Sequence, residues 1–256
     1  MTTITPFDAA YTGYYDILYA DKNYVAEALA IQTILTRHNV SPTATLLELG
    51  CGSGIHAQQF VQQGYTLHGI DASQAMIDIA QQRLEGNASA TFEATGIETY
   101  IPLKKFDAVI SLFHVVSYLT TNEQLNKLFS MVSTALKPKG VFVFDCWYGA
   151  GVLTTPPTIR TKHMSNATYN VLRTATPELL PNENKVIVHF EVTITNKATA
   201  EVHHVTENHP MRYLFTPEVQ LLAQFYGLQL TEQSTFMSTD TPSTDTWYTL
   251  YVLQKI

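Results

Sequence analysis

Residues Leu46–Phe60 read LLELGCGSGIHAQQF, an apolar run followed by three glycines at alternate positions and then by helix-forming residues. This order predicts a buried strand, a tight turn and a helix that begins at the turn. Glycine permits positive φ angles and lets a ligand approach the backbone closely. The first N–H groups of a helix are unpaired and carry a partial positive charge, which suits an anionic group. The stretch therefore predicts a site for a nucleotide-like cofactor.

Spacing narrows the choice of cofactor. The dinucleotide fingerprint G-x-G-x-x-G would place its third glycine at position 55, where this chain has Ile55. The chain instead has E-x-G-x-G-x-G over residues 48–54, then a predicted strand at 65–70 and Asp71, 21 residues after Gly50. An acidic residue at this distance is placed to bind ribose hydroxyls.

This combination resembles motif I and the following acidic residue of class I S-adenosylmethionine (SAM)-dependent methyltransferases. The segments YYDILYADKNY (14–24), FDAVISLFHVVSYL (106–119) and GVFVFDCWY (140–148) are most similar to nucleotide-sugar N-methyltransferases of deoxyaminosugar pathways, with glycine N-methyltransferase more distant. The resemblance implies SAM as cofactor, S-adenosylhomocysteine as product and a small-molecule acceptor. It also implies a homodimer in many members.

The predicted architecture is α/β: a doubly wound, Rossmann-like, seven-stranded sheet with an antiparallel, β-rich cap insertion. Strands and helices alternate through residue 148, which predicts a parallel sheet. We expect a capping box at Thr120 and Glu123 and a turn at 137–140. A period-2 pattern at 186–194 predicts cap strands, joined by others near 169–175 and 201–208. The core is predicted over residues 1–150 and 213–256, and the cap over 151–212.

Residues 1–24 are rich in aromatic side chains, and two interpretations stay open. They could form a stripe that packs an N-terminal helix on the core, or a lid over the cofactor. The resemblance favours a lid in which Tyr15, Tyr19 and Tyr24 face the sulfonium, since an aromatic ring attracts a cation.

The resemblance places the methionine carboxylate of SAM near Gly50–Gly54, its ribose on Asp71 and its adenine between residues 72–73 and 96–97. An acidic residue commonly follows the third strand and binds the adenine amino group, but Gly96 stands at that position here. The candidates for cofactor binding are Tyr15, Tyr19, Tyr24, Glu48, Gly50, Cys51, Gly52, Gly54, His56, Asp71, Ala72, Ser73, Met76, Gly96, Ile97, Leu112 and Phe113. The catalytic candidates are His114 and Tyr15, and the substrate candidates are Tyr118, Trp147, Tyr148 and Arg160.

Methyl transfer is an in-line displacement, so alignment is the enzyme's main task. An amine acceptor, our first expectation and best matched by an amino sugar, needs only to be neutral. A hydroxyl of a sugar or small metabolite would need a general base. His114 is the candidate for this base, because it lies just past the end of a predicted strand, where ligands of α/β sheets bind. Two other interpretations are a non-catalytic SAM-binding protein and an NAD-dependent oxidoreductase, the latter disfavoured by Ile55.

Composition excludes several classes. A net charge of −7 without a cluster of basic residues argues against nucleic-acid binding. No apolar run reaches the roughly 18 residues that span a bilayer, and the N-terminus lacks the features of a signal peptide. Two cysteines suit a reducing compartment, so we expect a cytoplasmic protein. The histidines of the cap lack a set of spaced partners, and no metal site is expected.

Overall fold

The computed structural model describes residues 2–3 and 22–256 of the chain. Seven strands form the core sheet: β2 (Thr45–Leu49), β3 (Thr66–Asp71), β4 (Ala90–Ala94), β5 (Phe106–Ser111), β6 (Leu136–Tyr148), β11 (Leu228–Thr235) and β12 (Tyr248–Lys255). Their order in the sheet is β4-β3-β2-β5-β6-β12-β11, with β12 antiparallel to both of its neighbours and the others parallel. The predicted α/β fold class is confirmed.

Helices cover both faces of this sheet, because the buried strands carry apolar side chains in both directions. The helices are α1 (Tyr24–Arg37), α2 (Ile55–Gln62), α3 (Gln74–Arg83), α4 (Asn122–Ala135), α5 (Gly149–Thr154) and α6 (Thr216–Phe225). One core includes Phe129 of α4 and Val219 of α6. The other includes Ile31 of α1 and Phe60 of α2.

Two local predictions in this region are wrong. The capping box of α4 is formed by Thr121 and Gln124, one residue after the predicted pair Thr120 and Glu123, because the chain stays extended through Thr121. Residues 137–140 form no separate turn, because they lie inside β6 as an irregular segment. Phe106 of β5 pairs with Leu136 of β6, and the next pair is Ala108 with Val141, so residues 137–140 are left without partners in β5.

The cap is a four-stranded antiparallel sheet in the order β10-β9-β8-β7, with the short strand β1 (Thr2–Thr3) parallel to β10. Its strands are β7 (Arg160–Ser165), β8 (Tyr169–Leu180), β9 (Lys185–Asn196) and β10 (Val202–Leu214). The strand β7 was not predicted, and β8 and β10 are longer than expected. One face of the cap sheet packs on Met76 of α3, the helix that follows β3. The cap therefore covers this part of the core.

The strand β10 also joins the cap to the core, because Tyr213 and Leu214 pair in parallel with Trp147 and Tyr148 of β6. The predicted boundary at residues 212–213 therefore falls inside one continuous strand, and the division into two domains stays a prediction. The lid residues Tyr15 and Tyr19 lie outside the described residues. Within the described part of the chain, every helix is too short or too polar to cross a membrane.

Candidate cofactor and acceptor site

A cavity of about 640 Å³ opens at the carboxyl ends of β2, β3, β5 and β6, under the cap strands β9 and β10. Ligands of open α/β sheets bind at this edge. The glycine turn and Asp71 line one part of the cavity, and His114, Tyr118 and His209 line another. We call these parts the donor half and the acceptor half.

The glycine turn after β2 depends on backbone angles that other residues adopt at a cost. Gly50, Gly52 and Gly54 have φ of +68°, +52° and +74°. A side-chain Cβ at Gly50 would lie 2.6 Å from a methyl carbon of Val115, whereas one at Gly52 would meet no atom within 4 Å. Gly50 therefore holds the turn against the segment after β5, while Gly52 leaves space at the cavity.

Asp71, at the tip of β3, closes the turn from the other side. Its carboxylate accepts hydrogen bonds from the backbone N–H groups of Gly52 and Ser73, each at 2.9 Å. Burial raises the pKa of Asp71, although these two hydrogen bonds oppose the rise. Each carboxylate oxygen has a second acceptor position, so Asp71 can still accept from a ribose hydroxyl.

Glu48 lies behind the turn and does not line the cavity. It is buried, and its Oε2 atom has no hydrogen-bond partner among the residues that the structure describes. Burial, together with the nearby charge of Asp71, raises the pKa of Glu48 to about 8. Glu48 is therefore mostly protonated at neutral pH, which leaves the Asp71 carboxylate as the negative group of the donor half, and the described residues that line this half include no Lys or Arg. The charge of Asp71 suits a cationic ligand such as a sulfonium and disfavours the diphosphate of a dinucleotide.

A buried polar cluster closes the donor half beside α1. The Glu27 carboxylate contacts Lys22 and lies 2.8 Å from Nε2 of His56. Burial lowers the pKa of His56. Burial by itself would raise the pKa of Glu27, but the hydrogen bonds from His56 and Lys22 outweigh it, so the pKa of Glu27 is lowered. The Tyr24 ring packs edge-on against His56 at 4.9 Å between centroids. Both aromatic residues line the cavity, and their contact with the cofactor stays a prediction.

His114 stands just past β5 with a left-handed backbone, φ +61°. Its backbone N–H donates to Oδ1 of Asp145 at 3.1 Å, and its Nδ1 lies 2.5 Å from Oδ2 of the same carboxylate. The second contact has the distance of a hydrogen bond but not its angle, and it becomes an ion pair only when the imidazole is protonated. The ring stacks on Tyr248, 4.4 Å between centroids. Asp145, which is fully buried, therefore orients the imidazole and leaves Nε2 for the cavity.

The cap contributes the rest of the acceptor half. Tyr118, on a 3-10 turn at Val115–Tyr118, reaches His209 of β10. The Arg173 guanidinium lies 4.8 Å from the centroid of the Phe190 ring, and Phe190 packs edge-on against His209.

The structure brings most of the predicted site residues to the cavity. Those that line it are Tyr24, Gly50, Cys51, Gly52, His56, Asp71, Ala72, Met76, Gly96, Ile97, Leu112, Phe113, His114, Tyr118 and Trp147. Gly54, Ser73 and Glu48 support the turn from outside the lining, Gly54 and Ser73 as the N-caps of α2 and α3.

Two substrate candidates lie elsewhere. Tyr148 does not line the cavity, because successive residues of a strand face opposite sides and Trp147 faces it. Arg160 is exposed at the start of β7, outside the lining.

Sequence reasoning missed several residues of the site: Asp145, Tyr248, Phe190, Asn208 and Met211. Arg173 and His209 of the cap also line the cavity, the latter being one of the cap histidines for which no metal site was expected. Glu98 lines the cavity two residues after Gly96, so an acidic side chain is present near the predicted adenine position after all.

Comparison with known proteins agrees with this geometry. Residues 46–140 match the family model of a methyltransferase domain. The chain is similar in structure to a SAM-dependent methyltransferase from Clostridium acetobutylicum, with a TM-score of 0.81, 17% identity and coverage of 95% of this chain and 96% of the other. The fold and the site therefore define a SAM-dependent methyltransferase of class I, with SAM as cofactor, as predicted.

Its sequence relatives include sugar-modifying enzymes. It is 28% identical to a dTDP-3-amino-3,4,6-trideoxy-alpha-D-glucopyranose N,N-dimethyltransferase of Streptomyces venezuelae over 81% of this chain and 87% of that protein. A dTDP-3-amino-3,6-dideoxy-alpha-D-glucopyranose N,N-dimethyltransferase of Streptomyces fradiae is 26% identical over 52% of each chain. A ubiquinone biosynthesis O-methyltransferase of Rickettsia bellii is 29% identical over 45% of this chain and 47% of that protein.

Proposed function

We propose that this enzyme transfers methyl groups from SAM to the amine of a nucleotide-linked amino sugar. The observation that carries the proposal is the similarity to the Streptomyces venezuelae sugar N,N-dimethyltransferase, which extends through the cap as well as the cofactor domain. The cap supplies much of the acceptor half, so a likeness that includes it bears on the acceptor. Chemically, the cavity also offers a guanidinium, Arg173, for a diphosphate.

SAM supplies a methyl group on a sulfonium, and the protein's residues arrange the rest. The glycine turn and Asp71 would hold the cofactor. Trp147, Tyr118 and His114 bound the space where the acceptor nitrogen would lie. Alignment of this kind supplies much of the barrier reduction in a displacement.

An amine must lose its extra proton before it attacks. We assign that proton to Nε2 of His114, because this side chain lines the cavity and a neutral imidazole has one nitrogen that can accept a proton. Asp145, 2.5 Å from Nδ1, would stabilise the resulting imidazolium. This assignment keeps His114 as the predicted catalytic residue; a catalytic part for Tyr15 stays a prediction.

A second candidate function is O-methylation of a sugar or small metabolite. The pairing of His114 with a fully buried Asp145 favours it, because a hydroxyl acceptor needs a general base. The two functions differ in the acceptor group alone, and one assay separates them.

The assay uses dTDP-3-amino-3,4,6-trideoxy-α-D-glucopyranose and the matching sugar with a hydroxyl in place of the amine. Release of S-adenosylhomocysteine and the product masses are measured for each compound. We expect products with one and then two added methyl groups from the amine and none from the hydroxyl compound. Turnover of the hydroxyl compound alone would favour O-methylation, and turnover of neither would refute the amino-sugar assignment.

The acceptor is thus a small molecule. We further propose that the enzyme works in the cytoplasm as a homodimer without nucleic-acid contacts. The two buried free thiols, Cys51 and Cys146, suit a reducing compartment, and the net charge of −7 disfavours phosphate backbones. Light scattering with separation by size tests the dimer, and a single monomer peak would contradict it.

A further inference from the structure

His114 is attached to Asp145 at its backbone and at one atom of its ring. The backbone N–H donates to Oδ1 of Asp145 at 3.1 Å, and Nδ1 lies 2.5 Å from Oδ2. The ring contact does not have the angle of a hydrogen bond, and a hydrogen bond orients a group through its angle. Asp145 therefore decides which edge of the imidazole points into the core, but it does not fix the plane of the ring.

The face of the imidazole lies against the ring of Tyr248. The two centroids are 4.4 Å apart and the two planes make an angle of 16°, which is a stacked arrangement. Phe113 and Phe236 are farther from the same imidazole, at 5.8 and 6.4 Å, with angles of 43° and 71°. A ring stacked on another can turn only within its own plane. Tyr248 therefore fixes the plane that the Asp145 contacts leave open.

Tyr248 is itself held by the core sheet. It is the first residue of β12 and pairs with Trp147 of β6. Its carbonyl accepts a hydrogen bond from the N–H of Phe236 at 2.9 Å. Tyr248 and Trp147 both line the cavity, since opposite residues of two paired strands lie on the same face. A side chain carried by a paired strand is a more precise support than one carried by a loop.

The backbone of His114 depends on such support. Phe113 and His114 have φ of +65° and +61°, and this left-handed conformation is unfavourable for residues other than glycine. Residues keep it where the surrounding structure over-determines them, and such sites are commonly functional. The backbone bond to Asp145 and the stack on Tyr248 are two contacts of this kind, and they hold His114 in the lining of the acceptor half.

We propose that Tyr248 is a positioning residue of the methyl transfer, because its ring fixes the imidazole plane of His114 and so directs Nε2 at the acceptor. The proposal rests on the proposed function, in which Nε2 takes a proton from the acceptor while the electron pair stays on the acceptor atom. It holds for an amine and for a hydroxyl alike. The contact is made by the face of the tyrosine ring, so the phenol hydroxyl has no part in it.

Kinetics of Tyr248→Leu and Tyr248→Phe separate the ring from the hydroxyl. A misplacement of about 1 Å can slow a reaction about 100-fold, so we expect Tyr248→Leu to lower kcat at least about tenfold. The KM for the acceptor and the affinity for SAM should change far less than kcat, since the lost contact acts in the chemical step. Tyr248→Phe keeps the stack and should restore kcat. Normal kcat in Tyr248→Leu, or an equal loss in Tyr248→Phe, would overturn the proposal.

Phe236→Leu is the matched control. Phe236 follows β11, bonds the backbone of Tyr248 and meets the same imidazole edge-on, but it lies outside the cavity lining. An edge-on contact does not fix the plane of the ring, so we expect kcat to stay near the wild-type value. A loss equal to that of Tyr248→Leu would show that His114 responds to any change in its packing, and this would overturn the proposal.

A double variant tests whether Tyr248 acts through His114. Residues that act as one unit give non-additive effects, so Tyr248→Leu should cause no further loss in an enzyme that already carries His114→Gln. Multiplied losses would show that Tyr248 affects the reaction independently of His114 and would overturn the positioning role.

Proton NMR of the histidine rings gives a readout that needs no acceptor. Protons that lie over the face of an aromatic ring are shifted upfield by its ring current. We expect this shift for the carbon-bound ring protons of His114, assigned by comparison with His114→Gln, in the wild type and in Tyr248→Phe, and its loss in Tyr248→Leu. Unshifted signals in the wild type would overturn the proposal. If the wild-type enzyme methylates no acceptor, the proposed function fails, while this spectrum still decides whether Tyr248 fixes the ring.

Discussion

Replacing Asp71 by alanine should weaken SAM binding and, to a smaller extent, the fold. The carboxylate accepts two backbone hydrogen bonds at 2.9 Å, from Gly52 and Ser73, which exist without SAM. Their loss costs the fold about 1 kcal/mol each, and removal of a buried charge, whose pKa burial raises, offsets part of this cost. The predicted bond to a ribose hydroxyl would form only in the complex with SAM. A hydrogen bond to a charged group contributes about 1.5–3 kcal/mol, which is roughly a 10- to 150-fold increase in Kd.

Isothermal titration of Asp71→Ala with S-adenosylhomocysteine and with SAM measures this loss directly. Asp71→Asn is the matched control, because it keeps the size and one acceptor oxygen while it removes the charge. We expect its affinity to lie between those of the wild type and of Asp71→Ala. If Asp71→Ala is folded by circular dichroism and binds within about twofold of the wild type, Asp71 does not hold the ribose and the donor half is misassigned.

Three further predictions concern the turn and the catalytic pair. Gly50→Ala should lower the unfolding temperature more than Gly52→Ala. Both substitutions cost about 1–2 kcal/mol for a positive φ, but only the Cβ added at Gly50 would meet Val115, at 2.6 Å. Equal falls in unfolding temperature would contradict this reasoning. Glu48 has its pKa raised from 4.5 to about 8, so between these values the unfolded state binds fewer protons and wild-type stability falls as pH rises. In urea unfolding, the stability of Glu48→Gln relative to that of the wild type should therefore rise from about pH 5 to about pH 9. A difference in stability that stays constant over this range would contradict the raised pKa of Glu48. Asp145→Asn should lower kcat at least about tenfold with SAM affinity unchanged, and an unchanged kcat in steady-state assays would remove the pair from catalysis.

The donor half was predictable because its determinants are local. Strand, glycine turn, helix and second strand follow one another over residues 46–71, and each step has a sequence signal: apolar runs, glycines and the N-cap at Ser73. Parallel strands then bring their tips to one edge. Asp71 and the glycine turn could be placed beside each other without knowledge of the rest of the chain.

The acceptor half depends on contacts between distant parts of the chain. Asp145 meets His114 across 31 positions, and His209 meets Tyr118 across 91. The first contact follows from the register of β5 along β6, and the second depends on where β10 meets β6. No local pattern specifies either of them. Alternation along a strand could have shown that Trp147 and Tyr148 face opposite sides, so one of those two predictions could have been excluded from sequence.

The errors in element boundaries have a similar origin. Thr120 and Thr121 are equally good capping residues by type, and the choice between them depends on where the chain leaves the core. The segment 137–140 reads as a turn, yet pairing between β5 and β6 on both sides of it keeps it within the strand as an irregularity.

A crystal structure of the enzyme with S-adenosylhomocysteine and the dTDP-linked amino sugar tests the account most directly. We predict the ribose on Asp71, the homocysteine sulfur at the junction of the two halves, and the amine nitrogen between His114 and Tyr118. A cofactor bound away from the glycine turn, or an amine held out of reach of both side chains, would contradict it.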